Sequence, residues 1–282
     1  MNCLLSGISG FVGSHLATKL ITSGHSVFSI SRDLTIHDQN NRNSTALFHH
    51  SKTTRFDVFF HCAACHPSRS QSDEEIIDGN LNFTKSVLVT LNTLNIKAFV
   101  FCSSTSVYGQ TREEEINVNS PIINPSLYGS VKLEVENLID EWCNKNNTVF
   151  HIIRMPAIIG QGGHETFIVN LINSMKTGQS ISIHAGNSEF NHVVYIDDLC
   201  SYMINLGKKN AQSTTSVVGA EAPLKLREII SIIQQHFPDH KSNILEKSVF
   251  SKIINISSSK KLGFTSMTTR DIILKQIELM VG

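Results

Sequence analysis

Two side chains suited to proton transfer lie four residues apart near the middle of the chain, in the segment YGSVK at 128–132. On a helix this spacing places Tyr128 and Lys132 on one face, one turn apart. A tyrosine hydroxyl has an ordinary pKa of about 10, which a neighbouring ammonium group lowers by favouring the phenolate. The pair predicts a general acid/base tyrosine whose pKa a lysine tunes toward neutrality.

A segment rich in hydroxyl groups, SSTSVYG at 103–109, precedes this pair and follows a predicted buried strand at 98–102. In a parallel sheet, residues at the carboxyl end of a strand point into the crevice where α/β proteins bind their ligands. The segment therefore predicts hydroxyl groups at this crevice, with a polar exit from strand to loop as the alternative explanation of the serines.

Three glycines with the spacing G-x-x-G-x-x-G, Gly7, Gly10 and Gly13, separate a predicted first strand at 2–6 from a predicted helix at 11–23. Glycine permits a tight turn and lets the backbone approach a pyrophosphate without a Cβ atom in the way. The helix N-terminus offers unpaired N–H groups to the phosphates. This pattern predicts a dinucleotide site.

The end of the predicted second strand at 26–31 bears on which dinucleotide binds. A carboxylate at this point would bind the adenosine ribose hydroxyls of NAD, but the chain has Ser31 followed by Arg32. A guanidinium can form paired hydrogen bonds with a 2′-phosphate. These residues favour NADP, with NAD as the alternative because Asp33 is close enough in sequence to bind the ribose or to pair with Arg32.

The first half of the chain alternates short apolar runs with amphipathic stretches, which is typical of β-α-β units around a parallel sheet. We predict an α/β protein with a Rossmann-like parallel sheet, helices on both faces and a smaller C-terminal substrate-binding lobe. The cofactor domain is expected at 1–155, with 189–209 threaded back into it, and the lobe at 156–188 and 210–282. Strands are predicted at 2–6, 26–31, 46–48, 57–64, 98–103 and 151–155, and long helices at 74–94 and 126–144.

The composition excludes several classes of protein. With 24 Lys+Arg against 24 Asp+Glu in 282 residues, the chain has no net charge to attract nucleic acid. It has no apolar run of 18 residues, so we expect no membrane span, and its first residues lack a secretion signal, so we expect it in the cytoplasm. Two of the six cysteines, Cys62 and Cys65, form a C-x-x-C pattern directly before His66. A zinc site would need a second pair of ligands, which the sequence lacks, so we predict no metal site and expect the cysteines mostly to pack in the core.

Taken together and in order, the motifs resemble the extended short-chain dehydrogenase/reductases, the family of nucleotide-sugar epimerases, dehydratases and reductases. The matching segments are GISGFVG at 7–13, HCAA at 61–64, NLNFT at 80–84, SSTSVYG at 103–109, YGSVK at 128–132, RMPAIIG at 154–160, VYIDDL at 194–199 and KLGF at 261–264.

This resemblance implies roles for individual residues. Tyr128 is the general acid/base, Lys132 holds the nicotinamide ribose and tunes Tyr128, and Ser104 hydrogen-bonds the reacting sugar oxygen. The implied cofactor contacts are Gly7, Ser9, Gly10, Phe11, Val12, Gly13, Ser31, Arg32, Cys62, Ala63, Ala64, Asn80, Cys102, Tyr128, Lys132 and Pro156. The implied substrate contacts are Ser104, Thr105, Tyr128, Asn170 and Asn191.

Asn191 stands where many members carry an arginine for the nucleotide diphosphate. Lys225 or Arg227 is the alternative basic group, and His164 and His192 are further candidate contacts. The resemblance also implies a homodimer formed through the helices at 74–94 and 126–144.

The residues after Ser104 narrow the reaction. The 4,6-dehydratases of the family resemble T-D-E here, and the 3,5-epimerase/reductases carry a cysteine where this chain has Thr105. With these two reaction types disfavoured, the remaining chemistry is hydride transfer at one sugar carbon. We expect NADP-linked reduction of a nucleotide-linked 4-keto-6-deoxyhexose, with a nucleotide-sugar 4-epimerase that retains NAD as the alternative. A non-catalytic NADP-sensing regulator is the alternative of another class.

Overall fold

A computed structural model describes residues 1–40, 46–47, 55–67, 71–209, 212–238, 242–245 and 252–281. Their strands are β1 (Asn2–Ser6), β2 (Ser26–Ile30), β3 (Ile36–Asp38), β4 (Ala46–Leu47), β5 (Arg55–His61), β6 (Asn95–Ser104), β7 (Glu115–Ile116), β8 (Val149–Met155), β9 (Ala157–Ile159), β10 (Ile181–His184), β11 (Glu189–Phe190), β12 (Val193–Tyr195), β13 (Thr214–Val217), β14 (Leu224–Lys225), β15 (Ser242–Leu245) and β16 (Ile253–Ile254). Phe48, the last residue of the strand predicted at 46–48, lies outside the described residues.

The α-helices in the same part of the chain are α1 (Phe11–Thr22), α2 (Asp73–Ile77), α3 (Phe83–Leu91), α4 (Leu127–Asn146), α5 (Phe167–Lys176), α6 (Ile196–Gly207), α7 (Leu226–Gln234), α8 (Ser257–Lys261) and α9 (Thr269–Val281). A π-helical turn, Asp78–Asn82, joins α2 to α3, and a 3-10 turn, Thr105–Tyr108, follows β6. No helix in the described ranges is long and apolar enough to cross a membrane.

The chain divides into two compact units. Unit 1 comprises Met1–Thr111, Pro121–Arg154 and Cys200–Ser216, and unit 2 comprises Arg112–Ser120, Met155–Leu199 and Val217–Gly282. The sequence placed 189–209 in the cofactor domain, whereas 189–199 belongs to unit 2. The reason is that β12 pairs with β9, which is also in unit 2.

An eight-stranded sheet runs in the order β13-β8-β6-β5-β1-β2-β3-β4. The pairs β1/β2, β1/β5 and β5/β6 are parallel, and β3 and β4 add an antiparallel edge. The central strands are nearly continuous apolar runs because parallel strands covered by helices are buried on both faces. Phe59 of β5 and Phe99 of β6, for example, are fully buried and pack edge to face at 4.9 Å. The predicted parallel α/β fold is confirmed.

The helix predicted at 74–94 is interrupted at its centre. Asn80 donates from its side-chain amide to the carbonyl of Ile76 (2.8 Å) and to that of Cys65 (2.9 Å). A Cβ atom on Gly79 would lie 2.5 Å from the Cβ of Cys65, so the π turn lies directly against the loop that follows β5. Periodicity predicts the helical stretch but not the π turn, since the turn depends on contacts with a distant loop.

Helix α4 matches the prediction at 126–144 closely. Its N-cap residue Ser126 accepts a hydrogen bond from the backbone N–H of Gly129 (3.3 Å), and Asn147 ends the helix in the left-handed conformation. A buried stripe at helical spacing, Val131, Val135, Ile139 and Cys143, packs it into the core of unit 1. Tyr128 and Lys132 therefore project from the first two turns of an anchored helix.

Candidate active site

The three glycines of the first turn have different roles. Gly7 has a φ of +70°, and a Cβ atom there would lie 2.5 Å from the backbone nitrogen of Ala63. A Cβ atom on Gly13 would lie 2.1 Å from the carbonyl oxygen of Gly7, whereas one on Gly10 would lie 3.3 Å from the same atom. Gly7 and Gly13 are thus required by packing, while Gly10 keeps open the space in front of α1.

That space belongs to a cavity of about 940 Å³ in unit 1. Its lining includes eight predicted cofactor contacts: Gly7, Ser9, Gly10, Ser31, Arg32, Cys62, Ala63 and Ala64. The first turn of α1 has no acidic residue and no side-chain cap, so its N–H groups suit an anion. These residues fit a nicotinamide dinucleotide with its pyrophosphate on α1.

The other predicted cofactor contacts lie elsewhere. Phe11, Val12, Gly13, Asn80, Cys102, Tyr128 and Lys132 are in unit 1 but outside the lining of this cavity, and Pro156 is in unit 2. Asn80 acts on the site indirectly, because its amide holds the carbonyl of Cys65, a residue in the cavity wall. For these residues cofactor contact stays a prediction.

Sequence reasoning missed one wall of the cavity. It consists of Gln71, Glu75, Asp78, Gly79, Asn82, Phe83 and Ser86, on and just before the stretch from α2 to α3. The signal was present, since most of these positions recur at three- and four-residue spacing along one helical face.

At the end of β2, Ser31 and Asp33 form a local network. The Ser31 hydroxyl bonds to the Asp33 carboxylate and lies 2.7 Å from the Thr35 hydroxyl, which also donates to Asp33 (2.7 Å). These hydrogen bonds lower the pKa of Asp33 to about 2. Arg32 is exposed and lines the cavity, and in the described residues no ion pair joins it to Asp33, which leaves the Asp33 carboxylate bonded to Ser31 and Thr35.

Tyr128 and Lys132 are both buried, with 8% and 1% of their surfaces exposed. The Lys132 ammonium donates to the backbone carbonyl of Cys102 (3.0 Å) and lies 5.8 Å from the centre of the Tyr128 ring. Burial lowers the pKa of Lys132 to about 8. The lysine is therefore protonated at neutral pH but close to losing its proton.

The expected lowering of the Tyr128 pKa by Lys132 is not produced by the protein alone. Burial raises the pKa of Tyr128, because the phenolate loses hydration when the ring is enclosed, and the sulfur groups of Cys102 and Cys65 act in the same direction. The sequence prediction ignored this cost. Burial therefore favours the neutral phenol, whereas the positive charge of an oxidised nicotinamide ring beside Tyr128 would favour the phenolate.

Ser104 is brought beside the first turn of α4 by close backbone packing. A Cβ atom on Gly129 would lie 2.2 Å from the carbonyl oxygen of Ser106, so the 3-10 turn and α4 are in direct contact. Ser104 caps that turn by accepting from the backbone N–H of Ser106 (3.1 Å). Ser104, Thr105 and Tyr128 are therefore carried by two adjoining elements.

His66 is a site residue that the sequence did not single out as catalytic. Its ring centre lies 5.5 Å from that of Tyr128, at an angle of 57°. Its Nδ1 is 3.0 Å from the carbonyl oxygen of Pro67, which can only accept, so Nδ1 carries the proton in this contact. The C-x-x-C-H string thus ends beside Tyr128, a position that a packing role alone does not predict.

The predicted contacts in unit 2 have other surroundings. Asn191 is 1% exposed and its side chain makes three backbone hydrogen bonds, to the carbonyls of Ala220 and Ile254 and from the N–H of Ile254. These bonds occupy the amide, so the predicted substrate contact by Asn191 is corrected to a structural role. His192 is likewise bonded to the carbonyl of Lys252 (2.9 Å). The four remaining candidates, Asn170, His164, Lys225 and Arg227, are exposed.

The unequal roles of Gly10 and Gly13 give a matched pair of variants. Gly13→Ala should destabilise the protein by about 1–3 kcal/mol, because its Cβ atom would overlap backbone that cannot move away. Gly10→Ala should keep the melting temperature but weaken NADH binding by about tenfold, since its methyl group enters the pyrophosphate space. Thermal unfolding and fluorescence titration with NADH measure the two effects. Equal stability losses in both variants would contradict the assignment.

Comparison with known proteins agrees with this geometry. The family model for the NAD dependent epimerase/dehydratase family matches residues 3–219. The chain belongs to this family. Its relatives include the putative UDP-glucose 4-epimerase of Methanocaldococcus jannaschii, 26% identical over 93% of this chain and 92% of the relative. The CDP-abequose synthase of Yersinia pseudotuberculosis is 24% identical over 83% of this chain and 84% of the relative.

Among solved structures, the UDP-glucuronic acid 4-epimerase of Bacillus cereus in complex with NAD superimposes with a TM-score of 0.80. The match covers 100% of this chain and 99% of the other, at 21% identity. At this identity the likeness establishes the fold alone. Family membership supports a nicotinamide cofactor.

Proposed function

We propose that the protein is a nucleotide-sugar 4-epimerase that retains NAD. The observation that carries the proposal is the buried Tyr128–Lys132 pair, with Ser104 next to it, in the unit that holds the dinucleotide cavity. The names of several relatives favour epimerisation over the net reduction that the sequence favoured. The absence of carboxylates at 104–106 argues against dehydration.

The residues divide the chemistry between them. The nicotinamide ring, when bound, supplies the hydride acceptor and donor. Tyr128 acts from its phenolate form: it takes the proton of the sugar 4-hydroxyl as the carbon is oxidised and becomes a phenol, which returns the proton after the sugar has turned its other face. Ser104 hydrogen-bonds the same oxygen, and the Lys132 ammonium, which donates to the Cys102 carbonyl, favours the phenolate form of Tyr128 that accepts the proton.

The proposal is tested by incubating the purified protein with UDP-glucose, UDP-glucuronic acid or UDP-N-acetylglucosamine. We expect chromatography to show that one of them converts to its 4-epimer, with no net change in absorbance at 340 nm. Consumption of one equivalent of NADPH per sugar would instead support a reductase, and turnover of none of several nucleotide sugars would favour the NADP-sensing regulator.

The reductase is the second candidate because Ser31 and Arg32, rather than a carboxylate, line the cavity at the end of β2. If NAD is the cofactor, Arg32→Ala should change NADH affinity by less than about twofold, because the adenosine ribose then has no 2′-phosphate for the exposed guanidinium to bind. A 2′-phosphate contact would make the same variant lose about tenfold or more in NADPH affinity. Titration of both cofactors against wild type and variant decides between them.

We also propose the homodimer implied by the resemblance. The outer sides of α3 and α4 carry an exposed Val89 (69%) and an ion pair of 3.9 Å between Lys85 and Glu134. Light scattering on the purified chain tests it, and a monomer mass at micromolar concentration would contradict it.

A further inference from the structure

A buried ion pair lies one helical turn beyond Lys132. Glu136 on α4 is 4% exposed, and its carboxylate accepts two hydrogen bonds from Arg154 of β8, at 2.7 Å from Nη2 and 3.1 Å from Nε. It also accepts the hydroxyl of Ser103 (2.5 Å). The proposed reaction uses none of these three residues directly.

Stability alone is a weak reason for such a pair. Removing two charges from water costs free energy that their attraction barely recovers, and apolar residues of similar volume often serve as well or better. The surroundings of Glu136 suggest a role in the site instead. Tyr128, Lys132 and Glu136 follow one another at intervals of four residues on the buried face of α4.

Glu136 is coupled to the site in two ways. The hydrogen bond from Ser103 ties Glu136 to β6 at a point between Cys102 and Ser104. The carbonyl of Cys102 in turn accepts the hydrogen bond from Lys132. Through space, its negative charge opposes the effect of burial on Lys132.

Among the other groups that face Lys132, Cys102 also raises the lysine pKa, while His61, Cys62 and Tyr128 are neutral at neutral pH. Burial lowers the pKa of His61 to about 3, so its imidazole is neutral. The contact with Cys102, at 3.8 Å between the sulfur atoms, and burial raise the pKa of the Cys62 thiol. Tyr128 is a neutral phenol for the same reason of burial. Glu136 is therefore the carboxylate that, together with Cys102, favours a proton on Lys132.

We propose that Glu136 is a positioning residue of the active site, which holds Lys132 in its ammonium form and anchors the strand that carries Ser104, while Arg154 fixes the carboxylate. The inference rests on the proposed function and on the role that the family resemblance implies for Lys132 in holding the cofactor ribose.

The test measures NADH affinity as a function of pH, because the ammonium of Lys132 is lost as pH rises through its pKa of about 8. Wild-type affinity should fall with a midpoint near that value. In Glu136→Gln the midpoint should move down by about one pH unit, since an opposing charge has been removed. The matched control is Glu134→Gln, which removes an exposed carboxylate from the same helix and should leave the midpoint unchanged.

Glu136→Gln leaves Arg154 buried without its partner, so the variant can fail to fold. The double variant Glu136→Gln/Arg154→Met removes both charges and keeps the volume, and circular dichroism at each pH checks its fold. We expect the midpoint of the double variant also to lie below that of wild type.

An unchanged midpoint in the folded double variant, or a wild-type affinity that does not vary with pH between 6 and 10, would overturn the inference. The test measures NADH binding and not turnover, so it can be carried out and interpreted even if the protein is not an epimerase. Conversely, an epimerase with an unshifted midpoint would retain its proposed function and lose only the role of Glu136.

Discussion

Tyr128→Phe should lose turnover by about 10²- to 10⁴-fold while it keeps its fold and its cofactor. The substitution removes only the hydroxyl that exchanges a proton with the sugar. A loss of this size is the effect expected when a general acid/base is removed. The ring remains buried and keeps its contact with His66, so the packing of α4 should not change. Initial rates at saturating substrate, with NADH titration in parallel, measure both parts of the expectation.

A suitable control for this variant is Tyr202→Phe, which removes a buried tyrosine hydroxyl from α6 in the same unit. It should retain turnover within a few-fold of wild type. If Tyr128→Phe kept more than a tenth of the wild-type rate, another group would have to move the proton, and His66 would be the first candidate because of its position against the Tyr128 ring.

Lys132→Met should lose turnover by a similar factor and also weaken cofactor binding by about tenfold or more. An ammonium that donates charge-assisted hydrogen bonds is lost from the position next to Tyr128, and each such bond contributes about 1.5–3 kcal/mol. Stability should not fall, since methionine has a similar length and avoids the cost of burying a cation. The measurements are kcat, NADH affinity and the melting temperature.

The arginine variant provides the contrast for Lys132→Met. Lys132→Arg keeps the charge but has no room for a planar guanidinium at a position that is 1% exposed, so it should not restore activity. A fully active Lys132→Met would show that Lys132 is not needed for turnover and would contradict the role assigned to it.

The parts of the site that follow from local sequence could be predicted well. The glycine turn, the Tyr128–Lys132 face of α4 and the hydroxyl-bearing exit of β6 each depend on residues within a few positions of one another. Hydrophobic periodicity also located α4 to within two residues at its C-terminal end.

The features that were missed depend on contacts between distant segments. Asn191 was predicted as a substrate ligand because it stands where many family members carry an arginine. Its amide is occupied by the backbone of Ala220 and Ile254, about 30 and 60 residues further along the chain. The same holds for the pKa of Tyr128, which depends on how deeply the folded unit buries the ring. Neither burial nor a distant hydrogen-bond partner can be deduced from spacing.

A deuterium label tests most directly whether hydride leaves C4 of the sugar and returns to the same carbon. A UDP-hexose deuterated at C4 is mixed with unlabelled sugar and converted by the protein with its retained cofactor. We predict that the 4-epimer keeps its deuterium at C4 and that mass spectrometry finds no label in free cofactor. Loss of the deuterium from C4, its appearance in NADH or NADPH in solution, or the need for one reduced cofactor per product would contradict the epimerase.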